Sequence, residues 1–85
     1  MRPDPDEVAE ITLRREALRE ILDTLPERER RVLEMRYGLD GKSPRTLDDV
    51  GRYFNVTRER IRQIESQSLK KLQSLAAARR LRDVA

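Results

Sequence analysis

Apolar residues along this chain recur at the three- and four-residue spacing that puts them on one face of a helix at about 100° per residue. Val8, Ile11, Leu18, Ile21, Leu22 and Leu25 share one such face. Asp6, able to cap a helix and followed by Glu7, is the expected start of this first helix, and Pro26 closes it. The prolines at positions 3 and 5 make residues 1–6 a linker or lead-in. Leu25-Pro26-Glu27-Arg28-Glu29 then opens a second helix, because proline is tolerated at a first helical position and acids suit a first turn. Val32, Leu33 and Met35 to Tyr37 are its expected buried side, and Gly38 its stop.

Asp40-Gly41-Lys42-Ser43-Pro44 has turn chemistry at nearly every position, and neither flank alternates as a hairpin requires. Thr46 is placed to cap a short third helix carrying Leu47, Val50 and Phe54, with Gly51 where another backbone can come close. Asn55 and Val56 make a tight connection, since asparagine tolerates the left-handed conformation of a sharp turn between helices. The fourth helix begins at Thr57 or Arg58 and carries Ile61, Ile64, Ser68, Leu72 and Leu75 along one side. Its tail, Ala76 to Arg82, is expected either to continue it or to fold back as a fifth short helix. The expected fold is therefore all-α: a small helical domain of four to five helices over residues 7–85, with a helix-turn-helix at about 46–73.

In a helix-turn-helix the first helix crosses the DNA backbone and the second presents its N-terminal residues to base edges in the major groove. The fourth helix opens on suitable side chains. Arg58 can pair bidentately with guanine, Glu59 can accept from the cytosine amino group, and Gln63, one turn beyond Glu59, can reach a further base. Arg60, Arg62 and Lys70 are better placed for phosphates or for pairing within the helix. An Arg-Glu-Arg run on an arbitrary helix is most often a solvated face held by local ion pairs. A capped short helix and tight turn just ahead of it favour the reading role.

Charge distribution sharpens this picture more than the net charge of +3 does. From Lys42 onward there are eleven Lys and Arg against five Asp and Glu, a balance of +6, while the first 41 residues stand at −3. A basic half beside an acidic one suits a polyanion on one side and a protein partner on the other. With no Cys and no His, disulfides, thiolate chemistry and the common zinc sites are excluded; no metal or other cofactor is expected. No nucleophile-and-base pair or phosphate-cradling glycine loop is present, so neither an enzyme nor a small-molecule substrate is expected. Absence of a long apolar run or secretory signal implies a cytoplasmic chain without a membrane role.

Several blocks also resemble a known family. Leu25-Pro26-Glu27-Arg28-Glu29, Arg36-Tyr37-Gly38-Leu39, Arg45-Thr46-Leu47-Asp48-Asp49-Val50-Gly51 and above all Val56-Thr57-Arg58-Glu59-Arg60-Ile61-Arg62-Gln63-Ile64-Glu65 are similar to conserved region 4 of the primary sigma factors of bacterial RNA polymerase. The likeness runs from about Leu18 to Leu72. It implies a domain that reads the promoter's minus-35 element, with Arg58, Glu59 and Gln63 on bases. It places Arg28, Arg36, Thr46, Leu47 through its amide, Thr57 and Arg60 at or near the DNA backbone, and Arg62 is grouped with them. It also implies docking on the β-subunit flap of the polymerase core through apolar surface, for which Leu18, Ile21, Leu22 and Leu33 are the candidates; each of them is equally explained by core packing. An activator or anti-sigma protein is a further possible partner. Glu34, Gln67 and Gln73 stand where many members carry a base, and Ser74-Leu75-Ala76-Ala77-Ala78 replaces the usual His-Pro-Ser-Arg-Ser.

Two other functions compete. An autonomous helix-turn-helix regulator normally needs a dimer interface to set two recognition helices about 34 Å apart, and no dimerisation segment is visible. A module that mainly docks a partner helix in an apolar groove is compatible with DNA reading.

Overall fold

A computed structural model of the chain describes residues 15–84. The linker expected at 1–6, the Asp6 cap, Val8 and Ile11 lie outside the described residues. Within them the chain forms α1 (15–23), α2 (Glu27–Tyr37), α3 (Leu47–Phe54) and α4 (Arg58–Val84), with no strand among the described residues.

Each boundary has a local cause. The last turn of α1 tightens, with the Thr24 and Leu25 amides donating to the Ile21 and Leu22 carbonyls at 3.1 and 3.0 Å. Pro26 then adopts an extended conformation ahead of α2, whose first turn holds Glu27 and Glu29. Gly38 ends α2 in the left-handed region at φ 69°, where its amide and that of Leu39 both return to the Glu34 carbonyl. Thr46 caps α3 by accepting from the Asp49 amide at 3.1 Å, and Thr57 caps α4 by accepting from the Arg60 amide at 3.1 Å. Between them Asn55 takes φ 57°, ψ 45°, the left-handed turn its residue type suggested.

Two apolar clusters hold the helices together. Val32, Met35, Val50, Ile61 and Ile64 join α2, α3 and α4, with Leu47, Phe54 and Val56 packed around them. Leu22, Leu25 and Leu33 join α1 to α2, and Leu18, Leu39, Leu69 and Leu72 extend that cluster to α4. Fully burying a residue such as Ile61 is worth about 1.5 to 3 kcal/mol relative to exposure. Ser68, wholly buried on the apolar side of α4, satisfies its hydroxyl by donating to the Ile64 carbonyl at 2.6 Å.

Three expectations change. Tyr37 is 48% exposed rather than buried, because Gly38 turns the chain immediately and Leu39 packs on the second cluster instead. Leu75 is 39% exposed, since α4 by then has run past α2 and α3. No fifth helix forms among the described residues: α4 continues for 27 residues to Val84. With no proline or glycine after Arg58, and with three consecutive alanines, nothing in that stretch stops a helix.

Candidate nucleic-acid interface

The turn that joins α3 to α4 is built on a close backbone approach. The Val56 amide donates to the Gly51 carbonyl at 2.9 Å, and a Cβ on Gly51 would stand 2.9 Å from the Val56 carbonyl oxygen. This contact sets the start of α4 beside α3. Thr57, Arg58, Glu59 and Arg60 are all exposed there, while Ile61 and Ile64 turn inward and anchor the helix. Arg62 and Gln63, one turn on, are exposed with Glu59.

Arg58 borders two shallow notches. One is lined by Arg36, Thr46, Leu47 and Asp48 with Arg58 itself. The other lies under the turn between Asp48, Arg52, Asn55 and Thr57. The fold therefore gathers Arg36, Thr46, Leu47, Thr57 and Arg58 from three separate segments of the chain. Two helix starts lie at these notches. The first amides of a helix lack internal partners and carry partial positive charge, a local chemistry that suits phosphate oxygens.

Glu59 does not stand alone. The Arg62 guanidinium grips its carboxylate as a fork, Nε to Oε2 at 3.0 Å and Nη2 to Oε1 at 2.7 Å. Hydrogen bonding from Arg62, aided by Gln63, holds the Glu59 carboxyl below the ordinary glutamate range, and Glu59 in turn raises Arg62.

Of the four α2 arginines, the two expected at the DNA backbone, Arg28 and Arg36, are placed differently. Arg36 lies at the first notch, but its guanidinium also cross-links the fold, with Nε donating to Glu65 Oε1 at 3.3 Å and Nη1 to the Arg45 carbonyl at 2.7 Å. Arg28 lines neither notch; its guanidinium lies 5.9 Å from the centroid of the Phe54 ring. Of the apolar docking candidates, Leu22 and Leu33 are core, Ile21 is buried, and Leu18 is half-buried. Leu18 and Leu22, with Leu39, line an open groove between α1 and the loop after α2, edged by Arg15, Arg19, Glu16 and Glu20.

The sequence assigned no site role to three residues that the structure brings forward. Asp48 and Arg52 line the notches, and only the i to i+4 spacing on α3 hinted that they share a face with the turn. Glu34 is buried at 8% exposure and accepts from Arg19 Nη1 at 3.0 Å, with Arg30 Nε at 3.7 Å and Arg31 Nη1 at 3.8 Å. The position stands as an internal ionic hub joining α1 to α2.

A short capped helix, a three-residue turn and a long helix opening on exposed polar side chains define a helix-turn-helix domain of the DNA-binding class. The family described as sigma-70, region 4 matches residues 21–74, and the chain belongs to that family. It is 51% identical over 79 residues to the RNA polymerase sigma factor SigA of a Bacillus species, a match covering 93% of this chain. The chain spans 21% of the length of that relative.

Proposed function

We propose that this domain reads the minus-35 element of bacterial promoters within an RNA polymerase holoenzyme in the cytoplasm. In this reading α4 enters the major groove with Arg58, Glu59 and Gln63 on base edges. Arg28, Arg36, Thr46, the Leu47 amide, Thr57 and Arg60 meet the sugar-phosphate backbone. The observation that carries it is the exposure of all three candidate readers on the first two turns of a helix whose opposite side is locked into the core by Ile61 and Ile64. Membership of the sigma-70 region 4 family supports the same reading. For the β flap, the groove edged by Leu18, Leu22 and Leu39 is the surface with the right chemistry, an apolar floor for a partner helix.

The test is an equilibrium titration of the 85-residue chain against duplexes carrying TTGACA and each single-base variant, at two salt concentrations. A preference for TTGACA is expected, together with weak binding that falls steeply as salt rises, because phosphate contacts dominate affinity. Arg58→Ala and Glu59→Ala should each remove about 1 to 3 kcal/mol of discrimination with helicity intact. Equal binding to every duplex by the unaltered chain would overturn the reading.

A further inference from the structure

We infer that Arg62 is a positioning residue for Glu59, fixing the plane and the charge of a base-reading carboxylate rather than contacting a DNA phosphate itself. This inference rests on the DNA-reading role of α4 proposed above.

An exposed ion pair one turn apart on a helix is ordinarily a weak and single contact. The pair here is different in geometry. Arg62 Nε reaches Glu59 Oε2 at 3.0 Å and Oε1 at 3.2 Å, while Nη2 reaches Oε1 at 2.7 Å, so both oxygens meet the edge of one planar group. A glutamate otherwise keeps much of its rotamer freedom at a surface, and that freedom is lost when it must meet one base edge. Held by Arg62, the carboxylate waits in a single plane. It offers about four lone-pair directions, and those turned away from Arg62 remain to accept from a base amino group.

Charge points the same way. A bare carboxylate is repelled on approaching a polyanion, whereas a pair with no net charge is not. Arg62 thus lets an acid be used as a reader at all. A phosphate ligand would instead direct its guanidinium away from the only acid in the first turn of α4, which is Glu59.

The two roles differ in what they do to binding. Loss of a phosphate contact weakens every duplex alike and lowers the salt dependence by about one counterion. Loss of a positioning contact acts only where Glu59 reads. The experiment compares the 85-residue chain with Arg62→Met, Glu59→Gln and the double variant, against the TTGACA duplex and its single-base variants at two salt concentrations. Methionine keeps the apolar stem and a strong helix former, so the fold is retained. Glu59→Gln locates the base pair that Glu59 discriminates. Arg62→Met should lower discrimination at that same base pair about tenfold, leave discrimination at the other positions unchanged, and add nothing in the Glu59→Gln background. In the absence of DNA, carbon-detected NMR titration should show the Glu59 carboxyl of Arg62→Met moving up toward the ordinary glutamate range.

A uniform loss across duplexes, equal in both backgrounds and with a shallower salt slope, would make Arg62 a phosphate ligand and overturn the positioning role alone. Unchanged discrimination, or an unmoved Glu59 titration, would also overturn it. Should the unaltered chain fail to distinguish the duplexes, the minus-35 reading falls first and this role falls with it.

Discussion

A methyl group at position 51 would stand 2.9 Å from the Val56 carbonyl oxygen, closer than real side chains approach backbone atoms. Relief requires α3 and α4 to separate at the turn that sets the reading helix beside the first. Gly51→Ala should therefore cost about 1 to 3 kcal/mol, the usual range for overpacking, and weaken DNA binding beyond that loss. The checks are a urea midpoint and the duplex titration on the same preparation; an unshifted midpoint would mean the turn yields freely. Gly38 is constrained in another way, since it sits at φ 69° and its missing side chain makes room for the Lys42 carbonyl. Both requirements were legible in the chain, Gly38 from its place at the end of an apolar helix and Gly51 from the short helix and turn around it. The Glu59 fork was half legible. Its spacing permits pairing, but only the side-chain rotamers join both oxygens to one guanidinium.

Among the helices, α3 is short and almost wholly specified by its ends, Thr46 in front and Asn55 behind. Helix α4 is the opposite case. Its first half is anchored by Ile61, Ile64 and Ser68, but from Gln73 to Arg80 every residue except Arg79 is exposed. Among the described side chains, what attaches the stretch from Gln73 to Arg80 is Leu75 against the end of α1, near Ile21 and Thr24, and the ion pair of Arg79 with Glu20. An exposed ion pair and one half-covered leucine hold a helix end only loosely. Amide exchange should therefore be slow over 61–69, approaching the global unfolding limit, and faster by at least about tenfold over 76–80. Equal protection along all of α4 would show that the tail is held by more than these two contacts. Sequence left open whether this tail continued or folded back. Its alanines and the lack of any breaker favour continuation, whereas a fold-back was conceivable because the apolar stripe thins after Leu75.

The molecule as a whole rests on two small apolar clusters bridged by ionic links. Arg36 ties α2 to Glu65 on α4 and to the Arg45 carbonyl ahead of α3, and Lys71 ties α4 to Glu29 on α2 with Nζ to Oε1 at 2.9 Å. Glu65 beside Tyr37 raises the phenol above its ordinary value, chiefly through hydrogen bonding to the carboxylate and then through burial. In a domain of this size total stability is only about 5 kcal/mol, so single core losses are decisive. Ile61→Ala should cost about 2 to 5 kcal/mol and unfold much of the population at 25 °C. Glu34→Gln keeps the shape but removes the charge that Arg19, Arg30 and Arg31 surround; with Arg19 half in water, the expected cost is about 1 to 2 kcal/mol. Far-ultraviolet circular dichroism through a urea series ranks the two. If Glu34→Gln proved the more damaging, the ionic hub between α1 and α2 would outweigh the apolar cluster around Ile61 in holding the fold together.

The positions of α2, α3 and α4, both threonine caps, the left-handed asparagine and the exposure of the side chains that open α4 all follow from local spacing and residue chemistry. Such features depend on neighbours within about one turn, and the linear order of the chain contains those neighbours. Other features needed the folded chain. Leu22 and Leu33 are core because α4 returns to cover them, and Leu18 and Leu22 edge a groove because the loop carrying Leu39 closes its far side. Glu34 is buried because Arg19, fifteen residues earlier, comes to meet it. Arg36 is divided between the notch and the frame because Glu65 and Arg45 converge on it from separate segments. Those partners lie far apart along the chain, and periodicity records which face a residue is on but not what the face will meet.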